Sequence, residues 1–138
     1  TYNVNAPLML SIAREESYFN PLAQSGVNAR GLMQLMPNTA AAVASSLGMS
    51  NYTLFSPEDN TKLGCKYFSQ IRGELNGQDI FAVAAYNGGI GAVKQWITSL
   101  GNDTDNVVEH IPYPETKNYV KKVMRSYWNY VRIYDGNN

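Results

Sequence analysis

The sequence predicts an all-α domain, and three observations support this prediction. Apolar residues recur every three or four positions in several segments, which is the spacing of one helix face. These segments are separated by Gly, Pro and Asn, the residues that commonly end helices. No segment alternates apolar and polar residues over a useful length, as a half-buried strand would. The chain has 138 residues, the size of one domain, so we expect a single domain over residues 1–138.

Start and stop signals place the helices along the chain. The first helix is expected at residues 6–17, with Asn5 as its N-cap and Pro7 in its first turn. A helix that begins at Pro57 carries an apolar face as far as Leu75. Further helices are expected at residues 30–36, 37–47, 79–86 (capped by Asp79), 91–100 and 114–134. The segment before the last helix is expected to be a loop, and the pattern also allows a short hairpin around residues 50–55.

Composition excludes several classes of function. The 11 basic and 11 acidic residues leave no net charge, whereas nucleic-acid-binding proteins normally carry a basic excess, so we expect no nucleic-acid partner. No run of 18 apolar residues exists, so we expect no membrane span, and no signal peptide is recognisable. Cys65 is the single cysteine, which predicts a buried, inert thiol. His110 is the single histidine and no donor cluster has ligand spacing, so we expect no metal and no cofactor.

An acidic residue extends the apolar face of the first helix. Leu8, Ile12 and Glu16 lie four residues apart and therefore share one stripe. Desolvation would raise the pKa of such a carboxyl group, which is what a general acid needs near neutral pH. The alternatives are that Glu16 pairs with a buried cation or reaches solvent at the helix end. The neighbouring Glu15 points elsewhere and is expected to be solvated.

Three later segments carry further candidate side chains. Gln34 follows a turn-rich loop and either offers a neutral amide near the acid or is exposed. Tyr86 and Asn87 precede a double glycine and either present polar tips at a helix end or form a simple C-cap. Glu109 is the other acid in an apparently apolar setting, and it either serves the site or forms a structural ion pair.

These pieces appear in the order of a known family. The resemblance rests on four motifs: Glu16-Ser17, Gly31-Leu32-Met33-Gln34, Ala85-Tyr86-Asn87, and the stretch from Val108 to Val120. Together they resemble the lytic transglycosylase domain, and the last stretch is similar to the branch of the large soluble lytic transglycosylases. The resemblance extends from about residue 7 to about residue 134. Two departures are Asn28 in a position that is commonly Gly, and Gly88 where Ala is more usual.

The resemblance implies a lysozyme-like helical fold, related to goose-type lysozyme, with a glycan-binding groove. Glu16 matches the catalytic acid/base of the family. The remaining matches concern the groove, where Tyr119 corresponds to a tyrosine near the carboxylate and Asn87 to a supporting residue. The positions that match groove-lining residues are Ser25, Gln34, Met36, Tyr86 and Glu109.

The activity implied by the resemblance is a cleavage without water. The family breaks the β-1,4 bond between N-acetylmuramic acid (MurNAc) and N-acetylglucosamine (GlcNAc) in peptidoglycan and leaves 1,6-anhydro ends. The expected partner is therefore a peptidoglycan glycan strand, the expected location is the periplasm or cell envelope, and we expect a monomer. Two alternatives stay open: a goose-type muramidase that hydrolyses the same bond, and a peptidoglycan-binding module without catalysis.

Overall fold

The computed structural model describes residues 4–136, and helices dominate this part of the chain. Within it no extended strand occurs, and the β-bridges are the isolated pairs Gln24–Arg30 and Arg30–Leu35. The helices are α1 (Ala6–Ser17), α2 (Pro37–Ser46), α3 (Pro57–Glu74), α4 (Asp79–Gly88), α5 (Ile90–Leu100), α6 (Thr104–Glu109) and α7 (Pro114–Gly136). The predicted all-α class is therefore confirmed. Backbone contacts divide the chain into two compact units, Thr1–Ser69 and Gln70–Asn138, which are described separately below.

Helix α1 of the first unit has the predicted boundaries. The backbone N–H of Leu8 donates to the Asn5 side chain at 3.2 Å, so Asn5 is the N-cap. At the other end Tyr18 adopts a left-handed conformation with φ 50°, and its N–H donates to the Arg14 carbonyl at 2.8 Å. Phe19 is also left-handed, with φ 63°. Because two successive residues leave the helical region, the helix ends directly after the pair formed by Glu16 and Ser17.

The prediction of a helix at residues 30–36 is wrong, because this segment forms a tight hairpin-like turn. Arg30 and Leu35 exchange two backbone hydrogen bonds, each 3.0 Å long. Gly31 and Gln34 adopt positive φ values of 81° and 50°, which a right-handed helix does not allow. We call residues 30–35 the hairpin. The helix expected next at residues 37–47 is present as α2.

The hairpin is held by a buried amide on α3. The Asn60 side chain is 0% exposed; its oxygen accepts from the Met33 N–H at 2.7 Å. Its nitrogen donates to the carbonyls of Arg30 at 2.8 Å and Leu54 at 2.9 Å. A Cβ at Gly31 would lie 2.2 Å from this nitrogen, so only glycine permits the approach. The long-range bonds to Asn60 replace the local bonds that a helix would have made.

The second unit is built around α4. Helix α4 contacts α5 and α7, and α6 contacts the same two helices. Five consecutive α4 residues are buried: Phe81, Ala82, Val83, Ala84 and Ala85. Helix α7 contributes Val120 and Val123, which are at most 2% exposed. Five consecutive buried residues cover more than one full turn, so this part of α4 is buried on all sides and forms the apolar core of the unit.

Two local predictions in the second unit are wrong. The segment before α7 contains the short helix α6, which is capped by the Asp103 side chain accepting from the N–H groups of Asp105 and Asn106. Asp79 is not the cap of α4: Gln78 occupies that position, and the Asp79 carboxylate instead pairs with Arg72 at 2.7 Å. The available cation and the dipole of the first turn both favour this place for the acid.

Cys65 is half-buried on α3, less enclosed than the sequence suggested. Burial raises the pKa of its thiol above the ordinary value of 9.0. The thiol therefore stays protonated at neutral pH, which fits an inert side chain. In the described part of the chain, no helix is long and apolar enough to cross a membrane.

Replacing Asn60 tests its role. Asn60→Leu removes three hydrogen bonds and leaves buried backbone groups of the hairpin without that partner, so the free energy of unfolding should fall by about 3 kcal/mol or more in urea titrations. The matched control is Asn38→Leu, because Asn38 is exposed on α2 and its replacement should change stability by less than about 0.5 kcal/mol. Equal effects of both variants would contradict the assigned role.

Candidate active site

Glu16 lies in the last turn of α1 and is half-buried. The stripe predicted with it is present, because Leu8 and Ile12 are 1% and 0% exposed. The carboxyl group thus continues a fully buried apolar face at the point where the helix ends. Such a position combines partial desolvation with access, which are the two requirements of a general acid.

The expectation that Glu15 is solvated is wrong. Its side chain is 8% exposed, and its carboxylate pairs with the Arg14 guanidinium at 2.9 Å. The same guanidinium lies 5.9 Å from the centre of the Tyr18 ring, a distance at which a cation–π attraction is effective. Arg14 therefore covers Glu15, and the two adjacent acids have different surroundings.

Ser17 connects the end of α1 to the hairpin. Its hydroxyl lies 2.8 Å from the Leu32 carbonyl and 3.1 Å from the Ala13 carbonyl, and its single hydrogen is shared between them, with the shorter contact to Leu32. The residue is 7% exposed, so water does not readily replace these bonds. The residue after Glu16 thereby fixes the helix end to the Gly31-Leu32-Met33-Gln34 motif. This role of Ser17 was not predicted from the sequence, although its place beside Glu16 in one motif was the available signal.

Ser25 organises the loop that precedes the hairpin. Its backbone N–H donates to the Ala29 carbonyl at 2.9 Å, and its hydroxyl oxygen accepts from the Ala29 N–H at 3.0 Å. Asn28 adopts a φ of 74°, the left-handed conformation expected where the family commonly has Gly. Ser25 is half-buried, so part of its side chain remains accessible.

Gln34 points its amide nitrogen at the loop. This nitrogen donates to the carbonyls of Ala23 at 3.1 Å and Gly31 at 3.0 Å. The side chain is half-buried rather than exposed, so both of its amide hydrogens are used in holding the loop. Met36, two residues later, is 41% exposed and directly precedes α2. The first unit therefore presents Glu16, Ser25, Gln34 and Met36 on one hydrogen-bonded framework.

The third motif lies at the end of α4 in the second unit. The Asn87 side-chain oxygen accepts from the Thr116 hydroxyl at 2.7 Å, and Thr116 is 2% exposed. A Cβ at Gly88 would lie 2.8 Å from the same hydroxyl, so glycine allows α4 to approach α7 closely. Tyr86 precedes this contact and is half-buried. Asn87 thus anchors the motif to the first turn of α7.

The expected apolar setting of Glu109 is wrong. Its side chain is 63% exposed, and its carboxylate lies 4.0 Å from the Lys117 ammonium and 3.8 Å from that of Lys121. Lys117 also donates to the Glu109 carbonyl at 2.8 Å. The last residue of α6 faces the cationic side of α7 because the apolar neighbour Ile111 occupies the interior instead. Tyr119, which lies on α7 between these two lysines, is 9% exposed.

Potential metal ligands do not cluster in the described residues. Within residues 4–136, no group of three or more His, Cys, Asp and Glu side chains is arranged to hold a metal ion. His110 is exposed, and its Nδ1 lies 2.8 Å from the Asn106 carbonyl. Its ring is thus held at the end of α6.

Comparison with known proteins identifies the family. The family model of the transglycosylase SLT domain matches residues 1–108. The soluble lytic murein transglycosylases of Salmonella typhimurium and Escherichia coli K12 are 37% and 38% identical over 97% and 92% of this chain. The membrane-bound lytic murein transglycosylase C of Edwardsiella ictaluri is 32% identical over 96% of this chain and 44% of its own length.

Solved structures agree with this assignment. The 70-kDa soluble lytic transglycosylase of Escherichia coli superposes with a TM-score of 0.88 at 36% identity, over 97% of this chain and 22% of that one. An inactive glutamate-to-glutamine mutant of the lytic transglycosylase Slt from Pseudomonas aeruginosa gives 0.83 at 38% identity, over 91% and 21%. The predicted lysozyme-like helical fold is therefore confirmed.

The chain defines a lysozyme-like helical domain with a partly desolvated glutamate at a helix end. It belongs to the transglycosylase SLT domain family. The chain spans about a fifth of the length of the soluble curated relatives that it matches. The matched segment makes up 22% of the Salmonella typhimurium protein and 20% of the Escherichia coli protein. Glu109 and Tyr119 lie beyond the segment matched by the family model, but within the share covered by the relatives.

Ser17→Ala tests the connection between α1 and the hairpin. The Leu32 carbonyl loses this buried donor, so the free energy of unfolding should fall by about 1–2 kcal/mol. Hydrogen exchange at the Arg30 and Leu35 amides should also accelerate. The control is Ser11→Ala, because buried Ser11 donates only to Pro7 within the same helix and should cost less than about 0.5 kcal/mol. The role is refuted if hairpin exchange is unchanged in Ser17→Ala.

Thr116→Val tests the anchor of the third motif. The variant keeps the side-chain shape but leaves the Asn87 oxygen without its donor, so the free energy of unfolding should fall by about 1–2 kcal/mol. Thr98→Val is the matched control, because the Thr98 hydroxyl is exposed and bonds within its own helix to Lys94. It should change stability by less than about 0.5 kcal/mol. Identical denaturation curves for Thr116→Val and the wild type would contradict the anchoring role assigned to Asn87.

Proposed function

We propose that this domain is a lytic transglycosylase that cleaves the β-1,4 bond between MurNAc and GlcNAc in peptidoglycan, with Glu16 as its single acid/base. The observation that carries the proposal is the half-buried Glu16 at the end of an apolar stripe. Family membership supports it, since the relatives are named lytic murein transglycosylases. A relative carrying glutamine in place of one glutamate is described as inactive, which supports a glutamate as the essential group.

One carboxyl group serves both steps of the proposed reaction. Protonated Glu16 donates its proton to the glycosidic oxygen, and the bond between that oxygen and C1 of MurNAc breaks. The 2-acetamido group of the same sugar stabilises the positive charge at C1. Ionised Glu16 then removes the proton of the C6 hydroxyl, and the C6 oxygen forms the new bond to C1. The product carries a 1,6-anhydro end, no water is consumed, and Glu16 regains its proton.

The remaining candidate residues bind or support the glycan in this proposal. Ser25 and Met36 expose part of their side chains to the strand, while Gln34 keeps the loop in shape through its amide. In the second unit Tyr86, Tyr119 and Glu109 contribute sugar contacts, and Asn87 holds Tyr86 in place through Thr116. Exposure and ion pairing of Glu109 suit a hydrogen-bonding partner of sugar hydroxyls rather than a second desolvated acid.

The partner and the location follow from the substrate. Peptidoglycan strands lie in the cell envelope, so a domain that cleaves them acts there. The relatives carry such domains in both soluble and membrane-bound proteins. We infer that the domain works on glycan strands as a monomer and needs no cofactor, since the substrate supplies its own nucleophile.

Glu16→Gln tests the mechanism on purified sacculi. The amide keeps the shape of the side chain but neither donates nor recovers the proton, so turnover should fall by at least about 100-fold. Release of soluble muropeptides measures this. The control Glu58→Gln makes the same change at an exposed position in the first turn of α3 and should keep normal turnover. Normal turnover of Glu16→Gln would refute the assignment.

Mass spectrometry of the products separates the proposed activity from its alternatives. Anhydro-MurNAc ends support the transglycosylase. Reducing ends with incorporated water identify a muramidase instead. Binding of sacculi with no soluble product from the wild-type chain identifies a glycan-binding module.

A further inference from the structure

Positive charge is concentrated on helix α7, although the chain as a whole carries no net charge. Between Glu115 and Asp135 the helix contains no acid. The cations in this stretch are Lys117, Lys121, Lys122, Arg125 and Arg132. They make up almost half of the 11 basic residues of the chain. Such a segregation of charge in a neutral protein indicates contact with an anionic partner.

The first two of these cations already have a partner, and the other three keep their charge for an external one. The ammonium groups of the first two lie 4.0 and 3.8 Å from the Glu109 carboxylate. The other three are exposed. Among the described side chains, no carboxylate lies within 4.0 Å of Lys122 or Arg125. Arg132 donates to the side-chain oxygen of Asn129, which is neutral and leaves the charge of the guanidinium in place.

An exposed tryptophan lies among these cations. Trp128 is 59% exposed, and Ile133 is exposed to the same extent. Arg125 precedes Trp128 by three residues and Arg132 follows it by four, so the three side chains form one stripe on the helix surface. The Tyr127 ring lies 5.1 Å from the Trp128 ring in an edge contact, which restricts the indole without covering it. Trp128 can therefore enter an apolar environment while the arginines stay at its edge.

These residues lie on the solvent side of a single helix, which is a convex surface. The opposite side of α7 packs through Val120 and Val123. From Lys122 to Ile133 the row extends about 16 Å along the helix axis. A convex row has no walls to enclose a small molecule or a single sugar, whose sites are concave. A protein partner would meet apolar residues at the centre of the contact and charges at its rim, whereas here the cations flank the indole itself.

We propose that this α7 face, formed by Lys122, Arg125, Trp128, Arg132 and Ile133, docks the domain on a membrane surface that contains anionic phospholipid. The phosphate groups of a bilayer form a planar, fluid layer of negative charge, so a row of cations meets several headgroups without a preformed pocket. The indole enters the zone between headgroups and acyl chains, which tryptophan favours because its ring is apolar and its N–H is polar. The long basic side chains reach back to the phosphates.

The location is the one premise taken from the proposed function, since the cell envelope contains phospholipid as well as peptidoglycan. Docking of this kind needs no transmembrane helix, and none of the described helices is long and apolar enough to be one. Each cation near an anionic bilayer changes the partition coefficient by about fivefold, and salt screens this attraction. We therefore expect binding that is reversible and sensitive to ionic strength.

Cosedimentation of the full chain with vesicles tests the proposal. The wild type should bind vesicles made of equal parts phosphatidylglycerol and phosphatidylcholine at least about tenfold more strongly than vesicles of phosphatidylcholine alone. Sodium chloride at about 0.5 M should remove the difference, because the Debye length then falls to a few ångströms. Equal binding to both kinds of vesicle overturns the proposal.

A double variant tests the face itself. Lys122→Gln combined with Arg125→Gln removes two cations and should weaken binding to the charged vesicles by at least about tenfold. The matched control combines Lys62→Gln with Lys94→Gln, which makes the same charge change at exposed positions on α3 and α5 and should bind like the wild type. An equal loss in both double variants assigns the effect to net charge and overturns the α7 face.

Tryptophan emission gives a second readout, which needs no charge variant. Trp96 is the other tryptophan of the chain and is 8% exposed, so a blue shift on addition of charged vesicles reports entry of Trp128 into the bilayer. Trp128→Phe should abolish the shift while the cations keep the protein bound. Emission that stays unchanged in the bound wild type overturns docking through this face. This readout decides the outcome even if the Lys122 and Arg125 double variant fails to fold.

The two proposals fail in different ways. Both double variants should release muropeptides from lipid-free sacculi at the wild-type rate, because the α7 face has no part in the proposed cleavage. Vesicle binding by a wild-type chain that leaves sacculi intact refutes the transglycosylase and retains the docking face. If the wild type ignores vesicles, and the α7 double variant loses binding to lipid-free sacculi, the face belongs to the glycan and the membrane proposal is overturned.

Discussion

The candidate site in the first unit depends on one buried amide. Asn60 uses its oxygen and both of its N–H groups on backbone atoms of Met33, Arg30 and Leu54. The side chain is 0% exposed, so water does not substitute for any of these partners. A buried polar group with every bond satisfied specifies one arrangement of its neighbours. That arrangement is the hairpin, on which the bond from Ser17 rests.

The sequence predicted the helices whose signals are local. Asn5 and Pro7 mark the start of α1, and the stripe through Leu8 and Ile12 marks its buried face, because caps and periodicity act within one or two turns. The hairpin was not predicted because it is stabilised by Asn60, which lies 27 residues from its partner Met33. A local sequence pattern does not indicate a hydrogen bond between residues so far apart. Helix α6 was missed for a different reason. Its N-cap, Asp103, is a local signal, but it lies in a segment rich in Gly, Asn and Asp, which is typical of a loop.

In the candidate site, too, the features set by local spacing were predicted, and those set by long-range contacts were not. The placement of Glu16 at the end of an apolar face follows from a four-residue spacing, which the sequence contains. The surroundings of the other acids depend on which cation reaches them. Arg14 covers Glu15, and lysines eight and twelve positions after Glu109 approach its carboxylate. An ion pair between flexible side chains depends on the tertiary backbone, so residue type and neighbours alone did not predict it.

A reaction with one acid/base constrains position more strictly than a reaction with two. The same carboxyl group must reach the glycosidic oxygen and afterwards the C6 hydroxyl, so both steps depend on where α1 ends. The left-handed Tyr18 and Phe19 end the helix there, and each such residue costs on the order of 1–3 kcal/mol of backbone strain. The buried Ser17 hydroxyl joins this strained helix end to the hairpin. The groups that fix the backbone around Glu16 therefore matter to the proposed chemistry as much as its position at the end of a buried apolar stripe.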